Sequence, residues 1–79
     1  MNKPYLVWAE WDIDANVWVA TSDDVPGLVT EADTIHKLVL KLGSMVPDLL
    51  KANACNMDSE TVHIELLARS LRVTHLGAI

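Results

Sequence analysis

The sequence holds one cysteine, few basic residues and no long apolar run. A lone thiol, Cys55, cannot form an intramolecular disulfide. No segment approaches the ~20 consecutive apolar residues of a membrane-spanning helix, and Glu10 and Asp12 interrupt the apolar start that a signal peptide would need. We therefore expect a cytoplasmic protein without a membrane partner.

Basic residues are scarce: six Lys and Arg stand against eleven Asp and Glu, for a formal charge of −5. Phosphate binding needs clustered positive charge, and the basic residues here are scattered, so nucleic acid is not expected as a direct partner. An acidic surface confers solubility, and it also suits a basic protein partner.

Apolar residues are plentiful, at 51% of a 79-residue chain. A chain of this size buries only about 60–65% of its unfolded surface, so one copy has little room for a core. We expect a single domain, residues 1–79, that shields its remaining apolar surface by self-association, most simply as a homodimer.

Two segments with a period near two predict an antiparallel hairpin. The strands are Pro4–Asp12 and Val17–Ser22, and the acidic segment Asp12–Asn16 forms the turn between them. The alternation turns Trp8 and Trp18 away from the core. The side chains assigned to the core are Tyr5, Val7, Ala9 and Trp11 on the first strand, and Val17, Val19 and Thr21 on the second.

A turn at Val25–Gly27 then leads into a short third strand, Leu28–Glu31, and a helix. Asp33 and Thr34 offer side-chain oxygens to the free N–H groups of the helix start. Apolar residues at three-and-four spacing predict a helix that ends near Ala52 or Asn53 and bends at Pro47. Two short helices broken at Gly43-Ser44 are the alternative. The apolar positions of the helix are Ile35, Leu38, Val39, Leu42, Met45, Val46, Leu49 and Leu50.

A last strand is predicted over Glu60–Val73, followed by an apolar tail, residues 75–79. The order β-β-β-α-β predicts an α+β fold: a mostly antiparallel four-stranded sheet of spatial order 3-2-1-4 with one helix on one face. On this strand Val62, Ile64, Leu66 and Ala68 share one face, and His63, Glu65, Leu67 and Arg69 share the other.

The segments from Asp12 to Ala20 and from Asp24 to Thr34, in this order and spacing, resemble the HicB antitoxin family, and in particular its small relatives of uncharacterised function. The similarity covers roughly residues 5 to 70. The resemblance implies a partial ribonuclease-H-like fold without that fold's catalytic carboxylates. It also implies a domain that oligomerises and neutralises a small basic ribonuclease toxin. HicB proteins add a C-terminal DNA-binding segment, which we do not find before Ile79.

The predicted partner-binding residues lie on the face that the helix leaves open. Trp8 and Trp18 would be buried there against another polypeptide, because aromatic residues are favoured at interface centres, and Leu67 and Arg69 share that face. A shift of strand register would instead turn one tryptophan to the helix. We expect Trp11 to serve in packing.

No catalytic, metal or cofactor residue is expected, although two other functions were weighed. Carboxylates near the strand ends allow a metal-dependent nuclease, but turn positions are ordinary for such residues. A small-ligand binding module lacks a convergent polar pocket. The nuclease candidates are Glu10, Asp12, Asp14, Asp23, Asp24 and Glu31.

Two metal patterns also fail on spacing. Asp12, Asp14 and Asn16 mimic the opening of a calcium loop, but the sixth and twelfth positions hold Val17 and Asp23 in place of Gly and Glu. The residues without the paired spacing of a zinc site are His36, His63, His75 and Cys55.

Overall fold

A computed structural model describes residues 3–53 and 61–71 of the chain. The five elements, in chain order, are β1 (Tyr5–Asp12), β2 (Val17–Thr21), β3 (Val29–Ala32), α1 (Ile35–Ala52) and β4 (Ile64–Arg69). The predicted last strand is too long, because residues 61–63 and 70–71 are not part of β4. Its predicted ends at Glu60 and Val73, the connector cysteine Cys55, and the tail with His75 lie outside the described residues.

The strands form one sheet of order β3-β2-β1-β4. β1 pairs antiparallel with β2, β2 pairs antiparallel with β3, and β4 joins β1 in parallel. A parallel neighbour requires a long crossover, which α1 supplies. The predicted α+β fold, strand order and single helix are therefore confirmed.

The helix begins at a side-chain cap. Thr34 has extended backbone, its Oγ1 accepts from the Lys37 N–H at 3.1 Å, and its carbonyl accepts from the Leu38 N–H. Pro47 lies inside one continuous helix, so the alternative of two short helices is wrong. The helix ends at Asn53, whose side-chain amide donates to the carbonyls of Leu49 and Pro26.

The Pro-Gly turn packs directly beside this helix end. Gly27 has φ of +82°, and the Leu28 N–H donates to the Val25 carbonyl at 3.2 Å, which is a type II turn with Pro26 at its second position. Val25 and Leu28 are both buried. The turn thus places two apolar side chains in the core before β3 starts.

The core lies between α1 and one side of the sheet, here called the helix face. Four helix residues spaced by four are fully buried, and small side chains on the strands below let α1 approach β3 and β2 closely. The buried residues are Val7, Ala9, Ala20, Val25, Leu28, Ala32, Leu38, Leu42, Val46 and Leu50.

The predicted faces of β2 are wrong. Trp18 lies opposite Trp11 and Ala20 opposite Ala9, so both belong to the helix face. Ala20 is fully buried and Trp18 packs against the core, with its ring 5.4 Å from that of Trp11 in an edge contact. The residues that exchange sides are Val17, Val19 and Thr21, which lie on the other face.

The physical cause is the length of the hairpin loop. Asp12 pairs with Val17, which leaves four loop residues, and the loop closes with Asn16 at φ of +56° and its N–H on the Asp12 carbonyl. The predicted faces needed Trp11 opposite Val17, one residue out of register. A one-residue slip moves a whole strand to the opposite face.

Candidate protein interaction surface

The side of the sheet away from α1 has no cover among the described residues, and we call it the open face. Strand register assigns its members directly, because paired residues project to the same side. They are Leu6, Trp8, Glu10, Asp12, Val17, Val19, Thr21, Val29, Glu31, Glu65, Leu67 and Arg69.

A mainly apolar row, to which β2 contributes Thr21, crosses all four strands of the open face. Val29 lies opposite Thr21, Thr21 opposite Trp8, and Trp8 opposite Leu67. Trp8 is 44% exposed, Leu67 38% and Val29 68%. Exposed apolar side chains are common singly, but neighbouring ones such as Trp8 and Leu67 on one sheet face are typical of a surface that another polypeptide covers.

A charged row runs beside the apolar row. Glu31 lies opposite Val19, Val19 opposite Glu10, and Glu10 opposite Arg69. All three charged side chains are exposed. The open face therefore combines an apolar centre with a mainly acidic border, to which Asp12 and Glu65 also contribute.

Three of the four residues predicted to bind a partner lie together. Trp8 and Leu67 are direct cross-strand neighbours, and Arg69 follows two residues along β4 on the same face. Trp18 is on the helix face instead, so the reason for assigning it to a partner contact fails. Val29 was not among the predicted partner-binding residues. Alternation along the third strand places it on the same face as Glu31, which is the open face.

Two of the nuclease candidates, Asp12 and Asp24, accept backbone hydrogen bonds and lie far apart. Asp24 Oδ2 accepts from the Leu6 N–H at 2.8 Å, and Asp12 Oδ1 accepts from the N–H groups of Asp14 and Ala15. Leu6 and Asp12 are six residues apart on β1, which corresponds to about 20 Å. Two-metal chemistry needs ions about 4 Å apart, so these two carboxylates cannot share such a pair.

The residues that resemble the start of a calcium loop, Asp12, Asp14 and Asn16, form the hairpin loop instead. The carboxylate of Asp12 closes the loop, and Asn16 leads directly into β2. Within residues 3–53 and 61–71, no three His, Cys, Asp or Glu side chains are grouped to hold a metal ion. His36 lies on α1 and His63 precedes β4, while His75 and Cys55 fall outside the described residues.

Ser22 has a structural role that the sequence analysis did not find. Its Oγ donates to the Leu6 carbonyl at 2.5 Å and accepts from the N–H groups of Asp24 and Val25. Together Ser22 and Asp24 satisfy the backbone of Leu6 where β2 has ended. The acidic turn before Pro26 therefore connects β1 to the Pro-Gly turn. The Asp24 carboxylate in this turn satisfies a backbone donor of β1.

In the described part of the chain, no helix has the length and apolar character needed to cross a membrane. No curated protein matches the sequence. A solved structure of a hypothetical protein from the extremely thermophilic bacterium Thermus thermophilus is 44% identical, with a TM-score of 0.72, over 92% of this chain and 99% of that one.

A family model described as a domain of unknown function, DUF1902, matches residues 4–76. The match includes every strand and the helix, and with them both faces of the sheet. The chain therefore belongs to the DUF1902 family.

Proposed function

We propose that this chain is a non-enzymatic protein-association domain that self-associates and binds a second polypeptide on its open face. The observation that carries the proposal is Trp8, which stands half exposed near the middle of the apolar row. A tryptophan side chain offers ~200 Å² for burial, worth several kcal/mol at about 25 cal/mol per Å². Such a residue is the usual energetic centre of an interface.

The charge of the open face supports a small basic protein as the second polypeptide. Glu10 and Glu31 flank the apolar row, and the whole chain carries −5. Complementary charge accelerates association and selects partners, whereas apolar burial supplies most of the affinity. A partner with an apolar contact surrounded by Lys and Arg fits both rows.

The resemblance to HicB antitoxins narrows the partner to a small basic ribonuclease toxin, which the bound domain would neutralise. Exposed, scattered carboxylates suit this role better than catalysis. Asp12 and Asp24, the best placed candidates for nuclease work, already accept backbone hydrogen bonds at opposite ends of β1. A cytoplasmic setting accords with a partner that acts on cellular RNA.

Co-expression of the chain with the product of an adjacent reading frame tests partner binding. We expect a complex that Trp8→Ala and Val29→Ser each weaken at least tenfold. Leu40→Ser is the matched control, because Leu40 is an equally exposed apolar side chain on the outer side of α1. Equal loss in all three variants, or no complex with any basic neighbour, contradicts the assignment of the open face.

RNA cleavage assays separate this function from the nuclease alternative. The isolated chain should leave labelled RNA intact in Mg²⁺ or Mn²⁺, and it should suppress cleavage by its partner. Metal-dependent cleavage by the chain alone, lost on Asp12→Asn or Asp24→Asn, overturns the proposal.

A further inference from the structure

β4 forms an edge of the sheet with no strand on its outer side among the described residues. It is paired with β1 along its whole length, and α1 lies over β3 and β2 at the other side of the sheet. Unpaired strand edges are ready sites for pairing with another chain. The helix α1 therefore does not block the outer edge of β4 from pairing with a further strand.

The backbone groups available at this edge follow from the ladder with β1. The Tyr5 N–H donates to the His63 carbonyl at 2.7 Å, and alternate residues of a parallel strand turn their N–H and C=O groups to the same neighbour. His63, Glu65 and Leu67 thus face β1. The outward donors and acceptors belong to the even-numbered residues Ile64, Leu66 and Ala68.

The side chains of β4 are complementary to themselves when reversed. On the open face the strand reads Glu65, Leu67, Arg69, an acid and a base equally spaced about a leucine. We propose that β4 pairs antiparallel with β4 of a second copy about a two-fold axis at Leu67. Glu65 of each copy then lies opposite Arg69 of the other, twice in the dimer.

Other registers lack this match. A two-fold axis at Glu65 would place two carboxylates opposite each other, and an axis at Arg69 would do the same with two guanidinium groups. An axis at Leu66 sets Glu65 opposite Leu67 and Arg69 opposite His63, and an axis at Ala68 sets both charges opposite leucines. Opposite charges directly across a strand pair stabilise it, and like charges destabilise it.

Backbone pairing agrees with the same register. The outward groups of Leu66 and Ala68 exchange hydrogen bonds across the seam, and Glu65 and Arg69 fall at non-hydrogen-bonded positions. Those positions bring opposed Cα atoms to about 4.5 Å, where side chains interact most closely. The register with its axis at Leu67 thus provides both backbone hydrogen bonds and opposite-charge pairs.

This inference rests on the proposed function, because it names the surface through which the self-association occurs. It also leaves the open face available. Since Trp8 lies opposite Leu67, pairing at Leu67 joins the apolar rows of both copies into one row across eight strands. The second polypeptide then meets a doubled surface.

Charge reversal tests the seam, with mass measured by light scattering at tens of micromolar. Wild type should be a dimer, and Glu65→Arg or Arg69→Glu alone should raise its dissociation constant about tenfold or more. Glu31→Arg is the matched control, since it reverses a carboxylate of the same face on β3. An equimolar mixture of the two β4 variants should recover the dimer, because each heterodimer again has two opposite-charge pairs.

Crosslinking supplies a second readout. In a Cys55→Ser background, Leu67→Cys should form a disulfide-linked dimer under mild oxidation, and Val29→Cys should not. A wild-type dimer that neither reversal weakens, or equal crosslinking at both cysteines, overturns the β4 interface and leaves self-association standing. A monomeric wild type overturns both.

Discussion

The two faces of the sheet both carry apolar side chains, but they differ in how many they carry and in what lies above them. On the helix face the small side chains of Ala9, Ala20 and Ala32 are buried in the same core as the leucines of α1. On the open face the larger Trp8 and Leu67 stand beside charged neighbours and remain exposed. Side-chain size and neighbouring charge, more than hydrophobicity alone, distinguish the buried face from the exposed one.

The largest effect is expected within α1 itself. Leu38→Ala should lower the free energy of unfolding by about 2–5 kcal/mol, because Leu38 is fully buried above the strands. Leu40→Ala, on the outer side of the same helix, should change it by less than about 0.5 kcal/mol. Urea titration of both variants checks this, and equal losses would mean that the helix packs on a different side.

Trp8 and Trp18, on opposite faces of the hairpin, should differ next. Trp18→Ala removes a ring that packs on the core and on Trp11, and should cost about 2 kcal/mol. Trp8→Ala should cost less than about 1 kcal/mol in the dilute, unbound chain, while it weakens partner binding. Stability measured at low protein concentration separates the two; a larger loss for Trp8 would reverse the assignment of faces.

Neighbouring hydroxyls at the end of β2 make a finer comparison. Ser22→Ala should lower stability by about 1–2 kcal/mol, since three hydrogen bonds of its Oγ to the chain around Leu6 and Asp24 are lost. Thr21→Ala, one residue earlier and exposed on the open face, serves as the control with a change below about 0.5 kcal/mol. Chemical denaturation of the pair would contradict the role of Ser22 if the two losses were equal.

The smallest effect belongs to a site on neither face, at the helix start. The hydrogen bond from Lys37 holds the pKa of the Asp33 carboxyl below its ordinary value. A lowered folded-state pKa adds stability above the unfolded pKa, and this is lost as pH falls through the folded pKa. Both side chains are exposed, so solvent screens the pair. Asp33→Asn should slightly flatten the acid side of a thermal-unfolding profile, an effect that added salt should remove.

The sequence predicted the fold well where local signals agreed. The Pro-Gly turn, the Thr34 cap and the spacing of Leu38 and Leu42 each fixed one element, and together they fixed the topology. Pro47 did not break the helix, since the residue one turn before it is Gly43, which has no side chain, and the apolar spacing continues past it to Leu50.

The faces of β2 could not be read from its composition. Both alternating sets are apolar, so hydrophobicity alone does not choose between Val19 and Trp18. The decision rests on one loop residue, Asn16, whose left-handed backbone lets the loop close on Asp12 with four residues. Asn just before a strand was the available signal, because this residue type adopts that conformation more readily than most.

Lys41 reaches past the start of α1 and donates to the Glu31 carbonyl on the outer side of β3. Within residues 3–53 and 61–71, the two margins of the sheet are therefore unlike: an ammonium group occupies the β3 margin, and no strand pairs with the β4 margin. If two copies pair through β4, the outermost strand of each copy is β3, where Lys41 binds the Glu31 carbonyl. The proposed assembly would therefore end at two copies and would not propagate into fibres.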